Sequence, residues 1–285
     1  MRSLDLGTLE IFNAVVQEGG IVRAAGKLNR VPSNVTTRIK QLEQRLGREL
    51  FCKQGRGLVL SPEGELLLSY TQRLFRLADE AESELKGGNA VGVFRLGSLE
   101  STAGSRLPPI LAQFHKRHPG VVVELVTGTS GALLQRVANF DIEAAFVSEP
   151  FSPSAVGSSQ PVFDEELVLI TGQDVAAIKR ARDLAGMTLI AFANGCSYRR
   201  RLEEWLGTSS VLPTRTLEFE SYAAMIACVA AGSGFAVVPR SVLATLRVSE
   251  DVRQHELPAR IRNNRTHLVW NRRGSTNLQR LIELL

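Results

Sequence analysis

No apolar run of 18 residues or more occurs in this 285-residue chain, so no segment has the length that crosses a bilayer as a helix. The longest candidate, Met225–Val238, is broken by Gly232 and Gly234. The opening MRSLDLGTLE lacks the charged-then-apolar order of a secretory leader, which argues against export and against a membrane partner. Cysteine is scarce. Cys52, Cys196 and Cys228 form no CxxC pair, and so odd and scattered a set predicts a reducing cytoplasm rather than a disulfide framework. Histidine is equally thin. His115 and His118 stand three apart, but without an accompanying Cys or carboxylate set they read as surface residues, and no metal site is expected. GxSxG, Walker A and GxGxxG sequences are absent, and the Glu165-Glu166 and Glu203-Glu204 pairs sit in no recognisable catalytic context. No cofactor and no enzyme activity are expected.

What is present begins with an uneven charge. The chain carries a formal net +5. Residues 21–56 hold nine Lys/Arg against two Glu, whereas residues 61–90 hold three basic and six acidic side chains. The positive charge is therefore local, as a nucleic-acid contact requires, although a solvated face carries the same signal.

Within that stretch Leu9, Phe12 and Val16 repeat at helical spacing and stop at Gly19-Gly20. A short second helix is expected from Ile21 to Leu28, with Ala24 and Ala25 small enough for close approach. Beyond Asn29-Arg30, Val35, Ile39, Leu42 and Leu46 mark one apolar face of a third helix that Gly47 stops. Two helices meeting at a tight turn, the second long and basic, form the helix-turn-helix pattern, whose second helix enters the major groove. The opposite face offers Ser33, Asn34, Thr36 and Thr37 as short donors and acceptors for base edges or phosphates, and Arg38 and Lys40 as phosphate partners. Arg23, Arg30 and Pro32 complete the candidate DNA-facing set. Composition alone does not separate this reading from a merely solvated helix.

The next segment, LFCKQGRGLVLSPEG, predicts a hairpin with a Gly-rich turn at Gln54–Gly57 and Lys53 and Arg56 at its tip. Such a basic wing suits the minor groove or the DNA backbone. Ser61 is placed to cap a following helix that has Pro62 in its first turn. The stretch AAGKLNRVPSNVTTRIKQLEQRLGRELFCKQGRGLVLSPEG resembles the DNA-binding domain of LysR-type transcriptional regulators, most closely in QLEQRLGRELF and LSPEG. It departs from that pattern at Val31 and Pro32, where the family carries a capping Ser and a Gln that often contacts DNA.

Leu67, Tyr70, Leu74, Leu77, Ala81 and Leu85 then form a heptad-like seam on a helix running from Pro62 to near Lys86, about 37 Å long. The seam predicts pairing with a second chain, which would present two recognition helices to a dyad-related, interrupted site on double-stranded DNA. The LysR resemblance implies a homodimer through this helix, within a homotetramer. KGGNAVG (86–92) reads as a flexible joint.

From Val91 short apolar strands alternate with helices. Strands are expected at Val93–Gly97, Val121–Val126, Ile142–Val147, Leu167–Ile170, Leu189–Phe192, Thr216–Phe219, Phe235–Val238 and His267–Trp270. That alternation argues for parallel sheets in an open α/β architecture, with ligand bound at strand carboxyl ends beside helix N-termini. Those ends supply Ser98, Glu100, Ser101, Thr102, Thr129, Ser130, Ser148, Cys196 and Ser197. Such a site suits a small carboxylate, with Arg199 as its charge partner. Taken singly, each Ser or Thr is also explained as a helix cap. Cys196, at a helix N-terminus followed by three arginines, is in surroundings that lower a thiol pKa.

This region resembles the LysR-type effector domain. The resemblance implies a two-lobed fold like that of type 2 periplasmic binding proteins, with the effector between the lobes. The expected organisation is α/β overall: a winged helix-turn-helix over 1–61, a linker helix and hinge over 62–90, and an effector domain over 91–285. Lobe one is placed at 91–161 and 267–285, lobe two at 162–266. The implied function is transcriptional regulation controlled by a small molecule, with RNA polymerase a partner if the protein activates. A solute-binding protein would explain the lobes but requires export. A small-molecule enzyme lacks a nucleophile–base constellation.

Overall fold

The computed structural model describes residues 4–54, 57–85, 92–152, 157–271 and 274–285. The chain packs as two units, Met1–Gly87 and Gly88–Leu285.

The first unit opens with α1 (Leu6–Gln17), whose N-terminus is held by Asp5. One Asp5 carboxylate oxygen accepts the Thr8 N–H at 2.8 Å and the other accepts the Thr8 hydroxyl at 2.7 Å. Helices α2 (Ile21–Lys27) and α3 (Pro32–Leu46) follow. Leu9, Phe12, Ala24, Ala25, Val35, Ile39 and Leu42 are buried together, so the predicted apolar stripes form one core. Gly47 ends α3 at φ 65°, in the left-handed region that glycine adopts without steric cost. The hairpin pairs β1 (Phe51–Gln54) with β2 (Gly57–Leu60) in an antiparallel register.

The LSPEG segment then turns into α4 (Pro62–Leu85). Ser61 Oγ accepts the Gly64 N–H at 3.0 Å and donates to Glu49 O at 2.7 Å. A Cβ on Gly64 would lie 2.1 Å from the Leu50 carbonyl oxygen, so only glycine lets α4 seat against this turn.

The second unit is built on a mixed sheet. Its strands are β3 (Gly92–Ser98), β4 (Val121–Thr127), β5 (Ala144–Ser148), β6 (Ser158–Thr171), β7 (Leu189–Ala191), β8 (Thr216–Glu218), β9 (Phe235–Pro239), β10 (Arg253–His255) and β11 (Asn263–Trp270). Their order is β4-β3-β5-β11-β6-β9-β7-β8, with β10 added on β6. The expected parallel pairing holds for β3 with β4 and β5, and for β7 with β8 and β9. It fails at the centre, where β6 and β11 run antiparallel to each other, β11 to β5, and β6 to β9 and β10.

The 14-residue β6 pairs with β11 up to Glu166 and with β9 from Leu167 onward, so one strand belongs to both halves of the sheet. The change of partner falls between Glu166 and Leu167, beyond the expected lobe boundary at 161/162, and β11 begins at Asn263, before the expected return at 267; the two halves of the sheet are termed lobes. Alternate residues of β5 serve different cores: Ala144 and Phe146 pack with Phe94, Leu107 and Phe114, while Ala145 and Val147 face the core that continues into the second lobe. Among the described residues no helix is long and apolar enough to cross a membrane, and no cluster of three or more potential metal ligands forms.

Candidate functional site

Two places collect the residues singled out above. The first is the outer face of α3. Its N-cap is Val31, with Pro32 at the first helical position and no side-chain hydrogen bond closing the end. The amides there carry the helix's partial positive charge toward solvent. Ser33, Asn34, Thr37 and Arg38 line one shallow groove with Val31 and with Gln41, which the sequence reading missed although it lies one turn beyond Thr37. Thr36 and Lys40 lie outside that groove. The Thr36 and Thr37 hydroxyls donate to the carbonyls of Pro32 and Ser33, each at 2.9 Å, which fixes their rotamers and leaves the oxygens to accept.

Arg30, Pro32, Arg38 and Lys40 are exposed, and none of the three cations pairs with a carboxylate of the described residues. Arg23 is exposed too but donates to the Gly19 carbonyl at 3.0 Å. The Lys53 side chain and all of Arg56 lie outside the described residues, as does the joint at 86–91.

The second place is a small pocket between the lobes of the second unit. The first lobe contributes Leu99–Ser101 at the start of α5 (Glu100–Ser105), Gly128–Ser130 at the start of α7 (Ser130–Ala138), and Ser148 at the end of β5. The second lobe contributes Phe192, Cys196–Tyr198 at the start of α8 (Ser197–Gly207), and Tyr222 at the start of α9 (Tyr222–Ala230). Seven of the ten expected effector residues therefore meet. The other three do not. Ser98 is buried and donates to Leu99 O at 2.9 Å, and Thr102 is buried outside the lining.

Arg199, expected as the charge partner of a carboxylate, faces elsewhere. Its guanidinium is held by Glu203 Oε1 at 2.7 Å, Glu218 Oε1 at 2.6 Å and the Phe192 carbonyl at 3.0 Å. Two carboxylates already neutralise it, a requirement that sequence spacing did not show.

Most of the hydroxyls are committed to the fold. Thr129 Oγ1 accepts the Ala132 N–H at 3.3 Å, capping α7 as the simpler reading required. Ser130 Oγ accepts the Ser148 N–H at 3.0 Å, and Ser148 Oγ donates to Asn264 Oδ1 at 3.0 Å. Ser197 Oγ donates across the lobes to Ser148 O at 3.0 Å, and the Gly131 N–H donates to Gly195 O at 3.2 Å. At this crossing a Cβ on Gly195, whose φ is +96°, would meet Thr129 Oγ1 at 2.9 Å. Of the rest, Ser101 and Tyr198 are each only 3% exposed, and neither side-chain oxygen makes a well-formed hydrogen bond among the described residues, although the two hydroxyls lie close enough to act on each other.

Residues 6–65 match the family described as bacterial regulatory helix-turn-helix protein, lysR family, and residues 87–285 match the LysR substrate binding domain. Over 256 residues the chain is 36% identical to the HTH-type transcriptional regulator GltR of Bacillus subtilis (strain 168), covering 89% of this chain and 86% of that protein. The chain belongs to the LysR family of transcriptional regulators.

Its fold is also that of two solved full-length proteins. An OxyR variant from Pseudomonas aeruginosa superposes with a TM-score of 0.70 at 20% identity, covering 100% of this chain and 94% of that one. CbnR in complex with its target DNA gives 0.69 at 21% identity, covering 99% and 98%. This LysR-type regulator thus couples a DNA-binding helix-turn-helix to an effector-binding domain, and it is not an enzyme.

Two further sequence expectations need correction in this regulator. Leu67, placed on the intermolecular seam by its spacing, is buried in the first unit's own core. The exposed stripe of α4 runs instead through Leu66, Tyr70, Leu74, Leu77 and Ala81, with Tyr70 50% and Leu77 61% exposed; the Leu85 side chain lies outside the described residues. The second correction concerns Cys196. Burial is the dominant influence on its thiol and raises its pKa, outweighing the N–H groups of Arg199 and Tyr198 that act in the opposite direction.

Aromatic residues were missed altogether. The strand-end rule that found Ser197 would also have found Tyr222, since β8 ends at Glu218 just before EFESYAAM reaches the start of α9.

Proposed function

We propose that this regulator reads an interrupted dyad in double-stranded DNA with the α3 groove face, and that a small carboxylate-bearing effector in the inter-lobe pocket controls the DNA-bound conformation. In this reading Ser33, Asn34, Thr37 and Gln41 meet base edges. Arg30, Arg38, Lys40 and the wing residues Lys53 and Arg56 neutralise phosphates. The exposed α4 stripe pairs two chains, two such dimers form a homotetramer, and the protein acts in the cytoplasm, contacting RNA polymerase if it activates.

One observation supports the effector assignment above others: Ser101 Oγ and Tyr198 Oη are buried close together on the same pocket, with no well-formed hydrogen bond among the described residues. An unsatisfied buried hydroxyl costs about 1–3 kcal/mol, a cost that a ligand oxygen removes. The α8 N-terminus opens on the same space without a side-chain cap, so its amides suit a carboxylate. The free space has the dimensions of a water molecule rather than a metabolite, so binding requires the lobes to part and close again. The effector acts through its differential affinity for the two lobe arrangements; moving a population from 1:99 to 99:1 takes a ratio of about 10⁴.

The test is a footprint of the purified full-length protein on DNA flanking its own gene, repeated with a panel of small carboxylic acids and amino acids. The expected result is protection over an interrupted dyad that one panel member alters, with Ser101→Ala abolishing the alteration but not the protection. Weak, uniform protection defeats the DNA reading. A footprint that no carboxylate-bearing compound changes defeats the effector reading.

A further inference from the structure

The pocket's charge is unusual for a carboxylate site. Its lining contains no Lys, Arg or His, and one ionisable anion, Glu100. Glu100 begins α5 in the first lobe, and the Tyr222 N–H at the α9 terminus of the second acts on its carboxylate, favouring the charged form. Among the described residues no cation pairs with it, and burial raises its pKa from its ordinary value. Opposite stand three aromatic rings, Phe192, Tyr198 and Tyr222, the first and last with centroids 4.7 Å apart. A carboxylate alone beside Glu100 would meet a like charge in a poorly hydrated space. A protonated amine would meet an anion with no cationic partner among the described residues, beside a wall of aromatic rings, which attract ammonium groups.

We infer that the effector carries a protonated amine held by Glu100 against the Phe192–Tyr222 wall, and is therefore a zwitterionic aminocarboxylate of amino-acid size. The inference rests on the pocket reading above and adds the second pole of the ligand. The α8 amides with Ser101 and Tyr198 take the carboxylate, and Glu100 takes the ammonium. Each pole draws on both lobes, the carboxylate on Ser101 of the first and the α8 N-terminus of the second, the ammonium on Glu100 of the first and the Phe192–Tyr222 wall of the second, so a ligand filling both favours lobe closure more than either half-molecule does. A purely structural role for Glu100, capping α9 across the lobes, makes no distinction between amines and their deaminated counterparts.

The experiment uses calorimetry and thermal melting of the full-length protein with the twenty standard amino acids, their deaminated acids and their decarboxylated amines. One amino acid is expected to bind at least about tenfold more tightly than its deaminated acid. Glu100→Gln should erase that difference while melting, without ligand, at or above the wild-type temperature. Glu100→Asp, which keeps the charge, should retain a preference for the amine. Binding of an amine alone that Glu100→Gln weakens would uphold the Glu100 assignment and defeat the carboxylate assignment. A deaminated acid that binds as well as its amino acid would overturn the inference and leave the carboxylate assignment standing. Undiminished amino-acid binding by Glu100→Gln would overturn it too, as would failure of every amine-bearing probe to bind.

Discussion

The α3 face proposed to meet DNA and the inter-lobe pocket present their polar groups in opposite ways. At the α3 face they are exposed, and Arg30, Arg38 and Lys40 form no ion pair among the described residues. Between the lobes most hydroxyls are already spent on the fold, leaving those of Ser101, Tyr198 and Tyr222 and the Glu100 carboxylate for a ligand. An exposed surface of that kind recognises its partner through charge that acts at a distance and is screened by salt. A desolvated site recognises through groups that are costly to leave unmatched. The two halves of one regulator should therefore answer differently to the same perturbation.

The largest separation is expected with salt. Raising it from about 50 to 200 mM should lower DNA affinity by about 10³-fold or more if a dimer makes at least six phosphate contacts. Affinity for an amino-acid effector should move less than about threefold. Equal slopes for both would remove the contrast.

Ion pairs provide the next test. In the second unit Glu165 is buried between Arg106 Nε at 2.7 Å and the Ser241 hydroxyl at 2.8 Å, bridging the lobes. Glu165→Ala should cost the second unit about 2 kcal/mol in a denaturant melt, because two partners lose a desolvated acceptor. The Lys27–Glu18 pair of the first unit is solvent-exposed at 2.9 Å, and Glu18→Ala should cost less than about 1 kcal/mol. Similar losses at both sites would erase the distinction.

A third substitution separates stability from binding inside the pocket. Tyr198→Phe deletes a buried hydroxyl that makes no well-formed hydrogen bond among the described residues, so the ligand-free protein should melt at the same temperature or slightly higher. Effector affinity should fall about tenfold. A clear loss of ligand-free stability would mean that the hydroxyl is already satisfied.

Acid gives the smallest effect and also separates the units. All four histidines lie beyond residue 88. His255 Nδ1 accepts the Ile178 N–H at 3.1 Å, so the ring is neutral with its proton on Nε2, directed at Thr171 Oγ1 2.8 Å away. Burial first, and Arg253 second, lower its pKa from 6.5. Its contribution to stability is therefore present above about pH 6.5 and declines as pH falls from there toward the folded-state value. In the first unit Asp5 is held below 3.8 by its bonds to Thr8, so its contribution is lost only as pH falls below about that value. Melts followed by probes in each unit should show the second unit weakening first on acidification. The reverse order would sink this assignment.

The first unit was legible because its information is local. Val35, Ile39 and Leu42 repeat at helical spacing, and the same repeat that buries them fixes which residues face outward. Leu67 shows the limit: the spacing of α4 gave a stripe, but adjacent residues 66 and 67 divide between solvent and core according to where α1 packs. In the second unit the strand-end rule located seven pocket residues, since a strand followed by a helix places its junction at the sheet edge whatever the pairing.

Pairing itself was not legible. The first half of β6, SSQPVFDEE, contains Pro161 and three acids and has no apolar alternation; it is a strand because β11 lies beside it, about a hundred residues later in the chain. The fate of Arg199 was hidden for the same reason, because Glu218 reaches it from the end of a different strand.

The place of β11 also bears on how the protein is made. The strand lies between β5 and β6, in the interior of the sheet, yet it is the last strand to be synthesised. While the ribosome is still translating the second lobe, the first lobe has β3, β4 and β5 but not the strand that joins them to β6. Its sheet can close only when residues 263–270 emerge, and the C-terminal helix Thr276–Ile282 supplies Leu278 and Leu281 to the same core. A nascent chain that stops short of Asn263 therefore carries a complete DNA-binding unit attached to an effector domain whose first lobe has not formed. Such a fragment retains the surface that reads the promoter without the machinery that decides when to read it.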